Sequence, residues 1–169
     1  MQFDLCVQHL ERDAAVITGL VTGLSGEQMR WKPSAEAWSL LEALNHLIDE
    51  EREDFRTRLD LILHQPGAPW PPIDPQGWVS QRRYNERDPQ ESIEVFLSER
   101  TRSIRWLQDL QHPDWAQIGR HPSGFELTAG DMLASWVAHD MLHIRQLAEL
   151  HRQWLISEGH ADVRYAGDW

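Results

Sequence analysis

Apolar residues recur in steps of three and four through four long stretches of this chain, and nowhere does a two-residue alternation run long enough to build a sheet. In the first stretch Phe3, Cys6, Leu10, Ala14, Ile17, Val21 and Leu24 place one apolar stripe on a helix that Ser25-Gly26 stops. Residues 27–37 hold Pro33 and read as a connector with about one helical turn. The second stretch opens at Ser39-Leu40-Leu41-Glu42, where the serine side chain can cap the Glu42 amide and the glutamate can reach back. Leu41, Leu44, Ile48, Phe55, Leu59 and Ile62 then form a stripe that runs to about His64.

Residues 65–77, QPGAPWPPIDPQG, hold five of the nine prolines and are predicted to be non-helical. A connection this long can carry the chain the length of a bundle, so the helices it joins need not be antiparallel neighbours. A short helical turn is predicted over 78–86. The third helix opens at Asp88-Pro89-Gln90-Glu91, with Ile93, Phe96, Leu97, Arg100, Ile104, Leu107 and Leu110 inward, and ends at His112-Pro113. After a loop over 114–126, Thr128 is the predicted cap of a fourth helix over 129–157. Its arc holds Met132, Leu133, Trp136, Val137, Ile144, Leu147, Leu150 and Trp154. The tail from Glu158 to Trp169 is polar and carries no assignment. The pattern predicts one all-α domain over 1–169.

Charge narrows the partners. The formal net charge is -11 and the basic residues are scattered among acids, so neither nucleic acid nor an anionic membrane surface is an expected partner. Cys6 is the single cysteine, which excludes an intramolecular disulfide and suits a reducing compartment. No basic segment precedes an apolar run at the N-terminus, and no stretch approaches about 18 apolar residues. The expected location is cytoplasmic.

The candidate chemistry lies in the fourth helix, in WVAHDMLHIRQL. His139 and His143 are four residues apart, one above the other on a helix face, and two imidazoles held that way can share a metal ion. Catalytic zinc sites use three protein ligands and leave a position open. His46 is the best third candidate: it is mid-helix among Glu42, Asp49, Glu50 and Glu53. On a helical wheel it lies on the acidic side, nearly opposite Leu41 and Ile48, so a site there has to be an open cleft. The blander alternatives are a solvated surface histidine at His46 and two hydrogen-bonded core histidines at His139 and His143. Two other motifs fit poorly. His139-Asp140-x-x-His143 has Asp where the zinc-protease motif has its catalytic Glu, and no Glu stands three residues before any histidine, as the di-iron bundles require.

Trp38-Ser39-x-x-Glu42-x-x-x-His46-Leu47, followed about 90 residues later by His139-Asp140-x-x-His143-x-x-Gln146-Leu147, resembles the DinB/YfiT superfamily. The resemblance implies a four-helix bundle in up-down-down-up order, commonly dimeric, with a divalent metal, zinc or nickel by choice, on His46, His139 and His143. It also implies chemistry on a small-molecule substrate, since some members act as transferases or isomerases that use a low-molecular-weight thiol such as mycothiol, bacillithiol or glutathione. The leading expectation is thus a metal-dependent thiol S-transferase or hydrolase-like enzyme. The alternative is a non-enzymatic, stress-related module in which the metal is structural.

Around the ligands, Trp136 is expected against the site wall. Asp140 is expected in a structural ion pair rather than as an acceptor for a ligand N–H. Glu50 reads as a solvated helix acid that could also accept a proton, and Glu42 as the capping-box partner. Arg145 and Gln146 follow His143 closely and are candidates to touch a substrate, with Arg145 equally readable as a surface charge. His9, His112, His121, His151 and His160 lack partners at ligand spacing.

Overall fold

A computed structural model describes residues 3–167; Trp169 lies outside the described residues. The helices are α1 (Phe3–Val21), α2 (Gly26–Arg30), α3 (Leu40–Asp49), α4 (Arg56–His64), α5 (Pro75–Gln81), α6 (Pro89–Asp109) and α7 (Ala129–Ser157). A π-helical turn, Glu50–Phe55, joins α3 to α4 into one long rod. Caps start the helices where the sequence places them. Ser39 Oγ accepts from the Glu42 amide (3.0 Å) while the Ser39 amide donates to Glu42 Oε2 (2.8 Å). Thr128 and Asp131 repeat the box at α7, and Asp88 caps α6 through the Glu91 amide (2.8 Å).

Side-chain contacts fix the direction of each rod. Between α3–α4 and α6 they climb together: Asn45 to Ser92 (3.0 Å), Glu51 to Arg100 (2.9 Å), Arg56 to Ser103 (2.8 Å). The two are parallel. Against α7 the order reverses, with His46 beside His143 (ring centroids 4.8 Å) and Phe55 beside Trp136 (5.7 Å). α1 and α7 run together, since Arg100 bonds the Leu10 carbonyl and Asp140 at one level and His151 meets the Leu20 carbonyl (2.6 Å) at another. The result is an up-down-down-up four-helix bundle. The Pro-rich connection after His64 returns the chain along the bundle, as its length allows.

Four details differ from the sequence pattern. Residues 75–77 are helical, because Pro75 occupies the first turn of α5 and Asp74 accepts from the Gly77 amide (3.0 Å). The loop before α7 holds a hairpin, β1 (Ile118–Arg120) against β2 (Glu126–Thr128), in strands of three residues that are too short to show alternation. Gly119 lets it lie close to α4: a Cβ there would sit 2.5 Å from Ile62 Cγ1. Leu97 is not inward but 41% exposed.

The fourth difference matters most. Every residue from Ser39 to Glu51 is buried, the acidic side included. The apolar stripe faces the bundle, and the return segment covers the other side: Tyr84 Oη donates to Asp49 (2.5 Å), Arg82 pairs with Asp49 (2.7 Å) and Arg87 donates to Asn45 (2.8 Å). His46 and Glu50, expected on a solvated face, are therefore 5% and 4% exposed.

Candidate metal centre

His46 comes from α3, and His139 and His143 from adjacent turns of α7. Their Nε2 atoms converge: His139 to His143 is 3.2 Å and His46 to His139 is 3.4 Å. Three imidazole nitrogens around a tetrahedral ion at the usual 2.0–2.1 Å would be about 3.3–3.4 Å apart. Burial, with the other imidazoles close by, holds the rings uncharged: His46 falls to about 2 and His139 to about 3. His143 is also lowered by burial. Neutral rings that point Nε2 at one another crowd their lone pairs, and a shared cation relieves that crowding. The donor set therefore fits a divalent metal. Among the described residues this is the one group of three such atoms gathered closely enough to hold an ion.

The ring nitrogens on the far side have different partners. His143 Nδ1 lies 2.7 Å from Gln146 Oε1, so Nδ1–H donates and Nε2 is left as the free base. His46 Nδ1 and Glu50 Oε1 lie 3.9 Å apart, both buried and both without a hydrogen bond. Burial, reinforced by the Asp54 carboxylate one turn on, pushes Glu50 up to about 8. Asp54 in turn lies 2.8 Å from Arg58.

A cavity of about 970 Å³ opens above the histidines. His46 and His143 sit buried at its inner end, while Glu36 and Arg145 are exposed at its rim. Trp38 forms the aromatic wall, 4.8 Å from the His46 ring and parallel to His143 at 6.4 Å. Trp136, expected on that wall, stands one layer behind it. It stacks on Phe55 (5.7 Å), which touches His139 (5.0 Å), and donates Nε1–H to Glu51 (3.2 Å). The sequence signal for Trp38 was its place beside the Ser39 cap, which fixes it at the mouth of α3.

Asp140, next to His139 in sequence, points the other way. Arg100 holds it with two bonds (2.6 and 2.9 Å), holds Glu51 with two more (both 2.9 Å) and donates to the Leu10 carbonyl (2.9 Å). Asp140 thus sits in an ion pair with Arg100. Burial still raises its carboxyl to about 6. Glu42 serves the capping box and also pairs with Lys32 (3.2 Å).

An up-down-down-up bundle with histidines converging from α3 and α7 defines a class, and the comparisons name it. The chain matches the family model of the DinB superfamily over residues 9–147, and it belongs to that superfamily. It is 28% identical over 142 residues to the uncharacterized protein YuaE of Bacillus subtilis, across 76% of this chain and 86% of that one. YfiT of Bacillus subtilis, described as a probable metal-dependent hydrolase with an unusual four-helix bundle topology, superimposes with a TM-score of 0.80 at 23% identity, over 90% of this chain and 87% of YfiT. A point mutant of the mycothiol-dependent maleylpyruvate isomerase superimposes with a TM-score of 0.71 at 7% identity, over 87% of this chain and 61% of that one. At these identities both structures speak for the fold.

Proposed function

We propose that this chain is a metal-dependent enzyme that holds one divalent ion, zinc or nickel, on His46, His139 and His143 and acts on a small molecule with a low-molecular-weight thiol as cosubstrate. The observation that carries the reading is the convergence of three neutral imidazole nitrogens at the inner end of the cavity, with His139 Nε2 3.2 Å from His143 Nε2 and 3.4 Å from His46 Nε2, and all three within 4.8 Å of one another. A structural zinc site closes with four protein ligands; here three meet and all three line the cavity, which favours catalysis over a metal staple. When bound, the ion supplies Lewis acidity that brings a thiol or a water molecule toward ionisation near neutral pH.

The chain's own groups do the rest. Gln146 sets the His143 tautomer, and Trp38 and Leu142 wall the cavity with apolar surface. Glu50 lines the cavity with Oε1 buried and without a hydrogen bond, and there its protonated form can give a proton to a departing group or its ionised form take one from an attacking group. The name of the mycothiol-dependent isomerase neighbour supports the thiol over water, and the YfiT description keeps hydrolysis as the second reading. Among the described residues no helix is long and apolar enough to cross a membrane, and the lone Cys6 suits a reducing compartment. We read the chain as cytoplasmic and, from the family resemblance, homodimeric.

Elemental analysis of the purified protein beside His46→Ala and His139→Ala tests the centre. About one divalent ion per chain, lost in both variants, is expected. Metal retained in the His46 variant breaks the three-histidine site. With the metal in place, turnover that requires a thiol separates transfer from hydrolysis, and a chain that is stabilised by metal yet binds no thiol or electrophile would be the structural module instead.

A further inference from the structure

We propose that the cavity selects a ligand bearing a carboxylate, bound between the side-chain amide of Gln146 and the guanidinium of Arg145. The inference rests on the metal-centre reading for the role of His143, and it adds the chemical class of the molecule.

The argument starts at His143. For Nε2 to face a metal, Nδ1 must carry the hydrogen, and its acceptor at 2.7 Å must be the oxygen of the Gln146 amide. That fixes the orientation of the amide. Its NH2 end is left on a residue that lines the cavity, with no acceptor of its own among the described residues. Arg145, the next residue back, lines the same cavity, is exposed and has no partner among the described residues. The other arginine on the cavity lining, Arg152, is engaged with Glu149. The Glu149 carboxylate that also lines the cavity is already met by Arg152 (2.7 Å) and Gln153 (2.7 Å). Two uncommitted donors, one neutral and one cationic, on the lining of one cavity can each meet an oxygen of the same carboxylate.

Gln146 thus has two separable tasks, one for each end of its amide. Gln146→Glu keeps an acceptor for His143 Nδ1–H but replaces the donor with a second carboxylate oxygen. Gln146→Leu removes both.

The test measures binding calorimetrically on zinc-loaded protein, with zinc content determined for every variant. The probes are 3-mercaptopropionate against 3-mercaptopropionamide, and succinate against succinamide, a pair that needs no sulfur. The wild type should bind each acid roughly ten- to a hundred-fold more tightly than its amide, the range of a charge-assisted hydrogen bond. Arg145→Gln should remove most of that preference. Gln146→Glu should keep its zinc and lose the preference, while Gln146→Leu should bind zinc about 10–100-fold more weakly. Equal binding of acid and amide by the wild type in both pairs overturns the proposal, and so does a preference untouched in both Arg145→Gln and Gln146→Glu. If only the succinate pair shows the preference, the carboxylate site stands and the thiol reading falls.

Discussion

Two buried polar clusters lie back to back between the π-helical turn and α7, and they are built from neighbouring residues. Glu51 and Asp140 turn inward to Arg100; Glu50 and His139 turn outward to the cavity. In the inner cluster, Arg100 has five hydrogen bonds to Glu51, Asp140 and the Leu10 carbonyl, and Trp136 adds one to Glu51. In the outer cluster His46 Nδ1 and Glu50 Oε1 are buried without a bond, and three Nε2 atoms face one another. A saturated cluster holds the bundle in one register. An unsaturated one beside open space is poised for a ligand.

The largest test of that contrast is to break the inner cluster. Arg100→Met leaves two carboxylates buried without a cation and should destabilise the chain by about 3–5 kcal/mol, read as a fall in the urea midpoint. Replacing Arg100, Glu51 and Asp140 together by Met and Leu should restore much of the loss, because the unpaired charges go with it. If Arg100→Met unfolds at the wild-type midpoint, the cluster is not what holds the helices together.

The outer cluster should respond in the opposite way. Free metal at a hundred times its Kd should raise unfolding stability by about 2.7 kcal/mol, and His139→Ala should abolish that gain. The same variant in chelator should unfold within about 1 kcal/mol of the wild-type apoprotein, since the contact it loses with the Phe55 ring is offset by relief of the crowding with the Nε2 atoms of His46 and His143. A large loss in chelator would make the histidines structural.

Acid sharpens the comparison further. His46 and His139 have folded-state pKa values of about 2 and about 3, well below the ordinary 6.5 of an unfolded histidine. Between those limits the unfolded chain binds protons that the folded chain refuses, so apoprotein stability falls as pH drops below about 6.5. Thermal melts in chelator from pH 7 to pH 4 should show this slope, and a His46→Ala, His139→Ala double variant should flatten it. An unchanged slope would assign the acid sensitivity elsewhere. The smallest effect is expected at the rim of the rod: Ser39→Ala should cost about 1 kcal/mol, with metal affinity retained if the cap acts only on α3.

The parts legible in the sequence were those with local causes. Caps at Ser39, Asp88 and Thr128, the stripe from Leu41 to Ile62 and the His139–His143 spacing all depend on residues a turn or so apart. The burial of Glu50 and His46 depends instead on Tyr84, Arg82 and Arg87, which reach α3 from the return segment, and a wheel drawn for one helix cannot show them. Trp38 stands on the wall where Trp136 was expected, for a similar reason. Spacing alone put Trp136 beside the histidines, but Phe55 from the π-helical turn stands between Trp136 and His139. The hairpin at Ile118–Thr128 was too short to leave a period.

The order of the chain also gives the site a schedule. α7 is the last rod of the bundle and supplies two of the three nitrogens, while His46 lies far upstream on a rod whose own start is capped locally. During synthesis, which presents the N-terminal side first, the emerging polypeptide offers only one of the three converging imidazoles, His46, until α7 follows. One imidazole is a poor competitor for a scarce ion. On the proposed site, metal capture would be a late event coupled to the docking of the final helix, and a chain truncated before α7 would lack two of the three ligands.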